Sequence, residues 1–330
     1  MRYIAQAIRG GTCVAVFLAL YSLSFAQSTT VDALTVSLEP SYPKPYSVVT
    51  VTPGSTLIDL SASTVTISVN GKVVQQGSGS QPAQVSVGGL GQATTITVTA
   101  TNEGKVYTKK LTVRPADVAL ISEPFSTTHP FYKGGSLLAS NGRVRLVAMP
   151  DFRTGTGASI PPKNLVYTWR NGDQVLESAS GIGKYSITAT APNRYRDSVV
   201  TVTVATSDQS LVGQSSIEIT PTDPIVRIYQ NDPLLGPLFN LALAKNTTLS
   251  SEEKTFRAVP YYFSETPSIN WMVNGTASQG GADITVRPTG SGVGTALLAV
   301  AAKAKNFPQQ AQTTLSVAFG VKSSSGIFGL

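Results

Sequence analysis

The chain has one cysteine and one histidine in 330 residues. Those counts exclude zinc and iron–sulfur sites built from several Cys and His, and they exclude a disulfide scaffold. Charge is also sparse. Only 13% of residues are Asp, Glu, Lys or Arg, which does not suit a helical bundle. A Ser-His-Asp triad would have only His129 to draw on, flanked by Thr128 and Pro130 in an expected surface loop, and no G-x-S-x-G elbow occurs. The glycine-rich segments GSGVG (Gly290–Gly294) and SGIGKY (Ser180–Tyr185) lack the P-loop spacing and read as hairpin turns. The 18 acids are scattered, with no D-x-D-x-D-G calcium loop. No catalytic residue, cofactor or metal is therefore expected. Turn and strand-start capping is the preferred reading of Asp117 and Asp223, with ion binding at a junction as the alternative.

What is abundant points to β-structure. The chain is 41% hydrophobic, with 29 Gly and 20 Pro among many Ser, Thr and Val residues. Residues 1–26 have the three parts of a secretory signal: Arg2 and Arg9, then the apolar run Cys13–Leu23, then small residues at Ser24 and Ala26. That run is shorter than the about 20 apolar residues that span a bilayer. Cleavage before Gln27 is expected, with an uncleaved anchor as the alternative. Cleavage would remove Cys13 and leave no thiol. No mature transmembrane segment is expected, and the location is exported: periplasmic, cell-surface or extracellular.

Past that segment, three stretches repeat the same markers. Each opens with an Asp (Asp32, Asp117, Asp223), alternating apolar residues and a strand-stopping Pro. Each continues with an alternating run closed by Pro53, Pro150 or Pro260. Each then has a strand running into Asn-Gly, in VTISVNG, VYTWRNG and INWMVNG. Asn-Gly between apolar runs predicts a type I′ hairpin, whose two central residues need φ > 0. Two further strands close every unit, and TALLAVAAKA in the third is read as strand from its place in the repeat. Pro115 and Pro221 mark the boundaries. The expected division is 27–115, 116–221 and 222–320, with a tail at 321–330. Helix and strand remain equally open for Pro233–Asn246.

About seven short strands per unit is the count of an immunoglobulin-like sandwich. The W-x-x-N-G and W-x-N-G segments resemble strand C of bacterial Ig-like and PKD-like domains, in which a Trp packs between the sheets. Trp169 and Trp271 match that position, and the first unit has Ile67 there. The resemblance implies an all-β fold of three tandem sandwiches, like secreted bacterial proteins of that family, with these three residues in the cores.

The expected role is non-catalytic: a semi-rigid spacer or binding scaffold with a protein or envelope-glycan partner. The alternatives are a glycan-binding accessory or adhesin module, with Tyr132, Tyr261, Tyr262 and Phe263 as a platform, and an enzyme of unrecognised type. The net charge of +7 is spread over local pairs such as Arg143 with Arg145, read as edge protection. Without a concentrated basic patch, nucleic acid is not an expected partner.

Overall fold

The computed structural model describes residues 33–130, 132–193, 196–249, 253–290 and 292–320. The expected signal segment, Asp32 and the 321–330 tail lie outside them. Among the described residues no helix is long and apolar enough to cross a membrane.

In the first unit, β1 (Thr35–Glu39), β2 (Val48–Gly54) and β5 (Ala83–Ser86) form one sheet in the order β1-β2-β5. The facing sheet has the order β4-β3-β6-β7, from β3 (Thr64–Val69), β4 (Lys72–Ser78), β6 (Thr94–Asn102) and β7 (Lys105–Val113). Alternation drives the layering. Val49 and Val51 of β2 and Ile96, Val98 and Ala100 of β6 point inward and are buried, while the residues between them are partly exposed.

The second unit repeats this topology. One sheet is β13-β9-β8, from β8 (Asp117–Phe125), β9 (Arg143–Asp151) and β13 (Ser186–Thr190). The other is β11-β10-β14-β15, from β10 (Val166–Asn171), β11 (Gln174–Val175), β14 (Ser198–Ala205) and β15 (Val212–Ile219), with β12 (Gly181–Ile182) also on β10. Within SGIGKY, Gly181 and Ile182 thus form a short paired strand, and the turn begins at Gly183, whose φ is 68. Arg143 and Arg145 do share an exposed face, but β9 is the central strand of its sheet, so they protect no edge. They instead face β8, where Arg145 is opposite Glu123 and Arg143 lies over the Phe125 ring at 5.8 Å.

The third unit adds strands to the same plan. Its first sheet, β17-β16-β19-β22, uses β16 (Ile225–Asp232), β17 (Gly236–Pro237), β19 (Lys254–Tyr261) and β22 (Asp283–Val286). Its second, β18-β24-β23-β20-β21, uses β18 (Lys245–Thr248), β20 (Ser268–Val273), β21 (Thr276–Gly280), β23 (Gly294–Lys303) and β24 (Gln310–Phe319). The leucine-rich segment Pro233–Asn246 holds no helix. It makes the two-residue strand β17, turns, and the start of β18, which runs parallel to β24. Alanine-rich β23 is a strand because it pairs along its full length with β24, and this ladder overrides the weak strand propensity of Ala.

Each unit is therefore an immunoglobulin-like sandwich. The strand that follows the Asn-Gly segment (β4, β11 or β21) joins the sheet of the strand before it (β3, β10 or β20), whereas the fourth strand of constant-type domains joins the sheet of the first two. The Asn-Gly hairpins explain this. Val69 pairs with Lys72 and Val273 with Thr276, each around a two-residue turn whose Asn and Gly have positive φ. Asn70 and Asn274 also accept, through their side-chain oxygens, the N–H groups of Thr95 and Leu297 on the neighbouring strand. In the second unit the turn slips by one residue. Asn171 pairs with Gln174, and of the central residues Gly172 and Asp173 only Gly172 has positive φ, the II′ pattern rather than I′.

Ile67, Trp169 and Trp271 occupy one equivalent site. Each lies opposite a valine of the next strand, Val98, Val202 and Val300 respectively, and all six are buried. Trp169 donates its indole N–H to the Lys184 carbonyl at 2.8 Å, and Trp271 donates to Gly281 at 3.1 Å. Three separate cores result, within 34–113, 116–219 and 226–317.

Candidate functional site: an aromatic cleft where the second and third units meet

A fourth buried cluster belongs to no sandwich interior. It holds Tyr229, Val259, Tyr261 and Tyr262, with Tyr132 and Phe239 packed against it. Strand alternation places Arg227 and Tyr229 of β16 and Val259 and Tyr261 of β19 on the outer face of their sheet. Such a face is normally wet. Here it is covered by the long β8–β9 loop of the second unit and by the segment after β17.

The covering loop is fastened by backbone exchange. The Thr127 N–H donates to the Phe263 carbonyl at 2.8 Å, and the Tyr262 N–H donates to the Thr127 carbonyl at 2.7 Å. Tyr262 holds φ 63 to make this exchange, a left-handed conformation costing roughly 1–2 kcal/mol in a bulky residue. Further along, the Thr222 N–H donates to Leu138 at 2.7 Å and the Ser140 N–H donates to Thr222 at 3.2 Å. Gln309, buried at the same junction, accepts from the Ser264 N–H at 2.8 Å and donates to the Ser140 carbonyl at 2.9 Å. Two loops of the third unit and one of the second are thus joined through a single amide.

Aromatic rings fill the space beneath the loop. His129 stacks on Phe239 and meets Tyr132 and Tyr261 edge-on, at centroid distances of 5.6 and 5.4 Å. The Tyr132 and Tyr262 hydroxyls are 2.6 Å apart, and those of Tyr229 and Tyr261 are 2.7 Å apart. Burial, followed by the bond to Tyr132, pushes the Tyr262 phenol up to about 12. Burial, followed by the bond to Tyr229, raises Tyr261 as well. Beside this cluster opens a cleft of about 610 Å³, lined among others by His129, Tyr132, Lys133, Arg227, Asn240 and Tyr262. His129 and Phe239 also border a second hollow of about 410 Å³ that reaches Arg257. There the Arg257 guanidinium is paired with Asp283, its Nε 2.8 Å from Oδ1.

Three expectations change. His129 is no bare surface residue; it is half-buried in the cluster. Phe263 is fully buried in the core of the third unit and cannot present a ring. Tyr261 and Tyr262 are 4% and 8% exposed, so they offer hydroxyls and edges but no open platform, because the loop from the second unit lies over them. Tyr132 is the partly exposed member of the four. Sequence reasoning missed Tyr229, Phe239 and Gln309. The signal for Tyr229 was present: a tyrosine on the polar phase of a strand, two residues from an arginine.

The first junction is leaner. Gly91 donates its N–H to the Pro115 carbonyl at 2.9 Å and lies against the Arg153 backbone of the second unit. Asp117 is 3.9 Å from the Lys44 ammonium and accepts the Val118 N–H at 3.0 Å, a strand-start cap. Among the described residues no three His, Cys, Asp or Glu side chains converge as a metal site would require.

No family model matches the chain, and no curated protein matches it. Solved structures do. The three N-terminal domains of the bacteriophage RB49 highly immunogenic outer capsid protein are 15% identical, with 88% of this chain and all of that one covered, at a TM-score of 0.28. Immunoglobulin domains 1–5 of Sidekick-1 are 9% identical, covering 87% and 59% at 0.29. The central fibronectin-III array of RIM-binding protein is 12% identical, covering 87% and 96% at 0.29.

Proposed function

We propose that the chain is a non-catalytic scaffold of three units, exported to the cell surface, the periplasm or the medium, which spaces or presents binding surfaces. The observation that carries this reading is the Thr127 exchange with Tyr262 and Phe263, backed by Gln309. A freely hinged array would not fasten consecutive units with paired backbone hydrogen bonds and a buried amide. Domain division near Pro115 and Pro221 fits the three separate cores. Export is supported by the Met1–Ala26 pattern, and an N-terminus at Gln27 in mass spectrometry is the expected result.

Spin labels test the rigidity. With Cys13 changed to Ser, cysteines introduced at the exposed Asp173 and Ser278 are the only thiols. A single narrow distance distribution between them is expected. A broad distribution in the intact chain would remove the spacer role.

A second reading, a glycan-binding module, is favoured by the hydroxyl- and cation-lined cleft beside Tyr132 and Tyr262.

A further inference from the structure

We infer that the cleft between the second and third units binds a small acidic saccharide, a sugar whose carboxylate is taken by Arg227 and Lys133. This rests on the glycan-binding reading and narrows its ligand class. At about 610 Å³ the cleft lies within the range of small-molecule sites, about 300–1,000 Å³. Its lining contains two cations and no Asp or Glu. Arg227 is exposed on the outer face of β16 and has no ion-pair partner among the described residues. A guanidinium offers a planar fork that matches a carboxylate with two parallel hydrogen bonds, and Lys133 adds a mobile point charge.

The remaining groups suit hydroxyls. In the Tyr132–Tyr262 pair one phenolic proton makes the mutual bond, so the other stays free to donate, and both oxygens keep lone pairs. The Asn240 amide is exposed at the same rim. The tyrosine rings pack edge-to-face on one another, Tyr132 meeting Tyr261 at 65° and Tyr262 at 69° between planes, and Tyr261 and Tyr262 are buried. A flat nucleobase, or a neutral sugar needing a broad stacking face, finds little to lie on. A compact polyhydroxylated anion finds charge, donors and acceptors together.

Calorimetric titration of the purified protein with a panel of uronate disaccharides, their neutral hexose counterparts and a short DNA oligonucleotide tests this. At least one uronate is expected to bind ten times or more tighter than its neutral counterpart, with affinity falling as salt rises. Arg227→Gln and Lys133→Gln should each lower that affinity at least fivefold without moving the melting temperature, since both side chains are exposed. Neutral binding that equals uronate binding and ignores Arg227→Gln would overturn the acidic assignment and leave the glycan reading standing. No saccharide binding at millimolar concentration would overturn both. Tighter binding of the oligonucleotide would also overturn the inference, in favour of a nucleic-acid ligand.

Discussion

The imidazole of His129 lies flat on the ring of Phe239, with centroids 4.2 Å apart and planes 3° apart. One ring comes from the second unit and the other from the third, so this stack joins two sandwiches rather than filling either. Aromatic pairs contribute about 0.5–1.5 kcal/mol beyond the area they bury. His129→Ala should therefore loosen the junction and leave each core intact. Scanning calorimetry should show the second and third units melting in one transition in the parent and separating into two in the variant. His129→Phe should restore the single transition. Unchanged co-melting in the alanine variant would show that the stack is decorative.

Gln309 carries more. Replacing it with Leu leaves the Ser264 N–H and the Ser140 carbonyl without the partner each has now. An orphaned buried polar group costs about 1–3 kcal/mol. Denaturant unfolding of Gln309→Leu should show a loss of about 2–4 kcal/mol in the third unit and its junction.

The first junction turns on close approach. A Cβ on Gly91 would sit 2.3 Å from the Arg153 carbonyl oxygen, a contact that backbone cannot relieve by rotating a side chain. Its φ of 69 adds a second penalty. Gly91→Ala should push the first unit away from the second, changing the small-angle scattering profile while far-ultraviolet circular dichroism stays the same.

In the cores, Trp169→Ala and Trp271→Ala should each cost about 3–5 kcal/mol, by loss of burial and the cavity left behind. Both indoles are buried, so acrylamide should quench neither efficiently in the native protein. Ile67→Ala tests the equivalent position of the first unit and should cost about 2–5 kcal/mol.

Alkaline pH should act on the junction. The Tyr262 phenol is raised to about 12 in the folded chain, against an ordinary value near 10. Below pH 10 both states hold the proton and the stability is fully present. Between about 10 and 12 the unfolded chain releases its proton first, so stability falls as pH rises through that window. Melting temperatures should drop over this range, and Tyr262→Phe should lessen the drop, leaving the share that the raised Tyr261 and Tyr167 phenols contribute.

The repeat was legible because it is local. Alternation, strand-ending prolines and Asn-Gly turns are each written within a few consecutive residues, and they specify two-sheet sandwiches without reference to anything distant. TALLAVAAKA was readable as strand only through its place in that repeat. The slipped turn at Asn171 was not readable, because one residue of register is decided by pairing along the whole β10–β11 hairpin.

The cleft belongs to the other category. Alternation put Tyr229 and Tyr261 on a face that should meet water, and within their own sheet it does place them there. Their burial comes from the segment after β17, which brings Phe239 onto Tyr229, and from a loop of the preceding unit, about 130 residues away in sequence for the Tyr132–Tyr262 contact. The amino-acid order determined which side chains each strand turns outward. Only the docking of one sandwich against the next decided which of those outward groups became an interface, since that depends on the path of a long loop that no periodicity encodes.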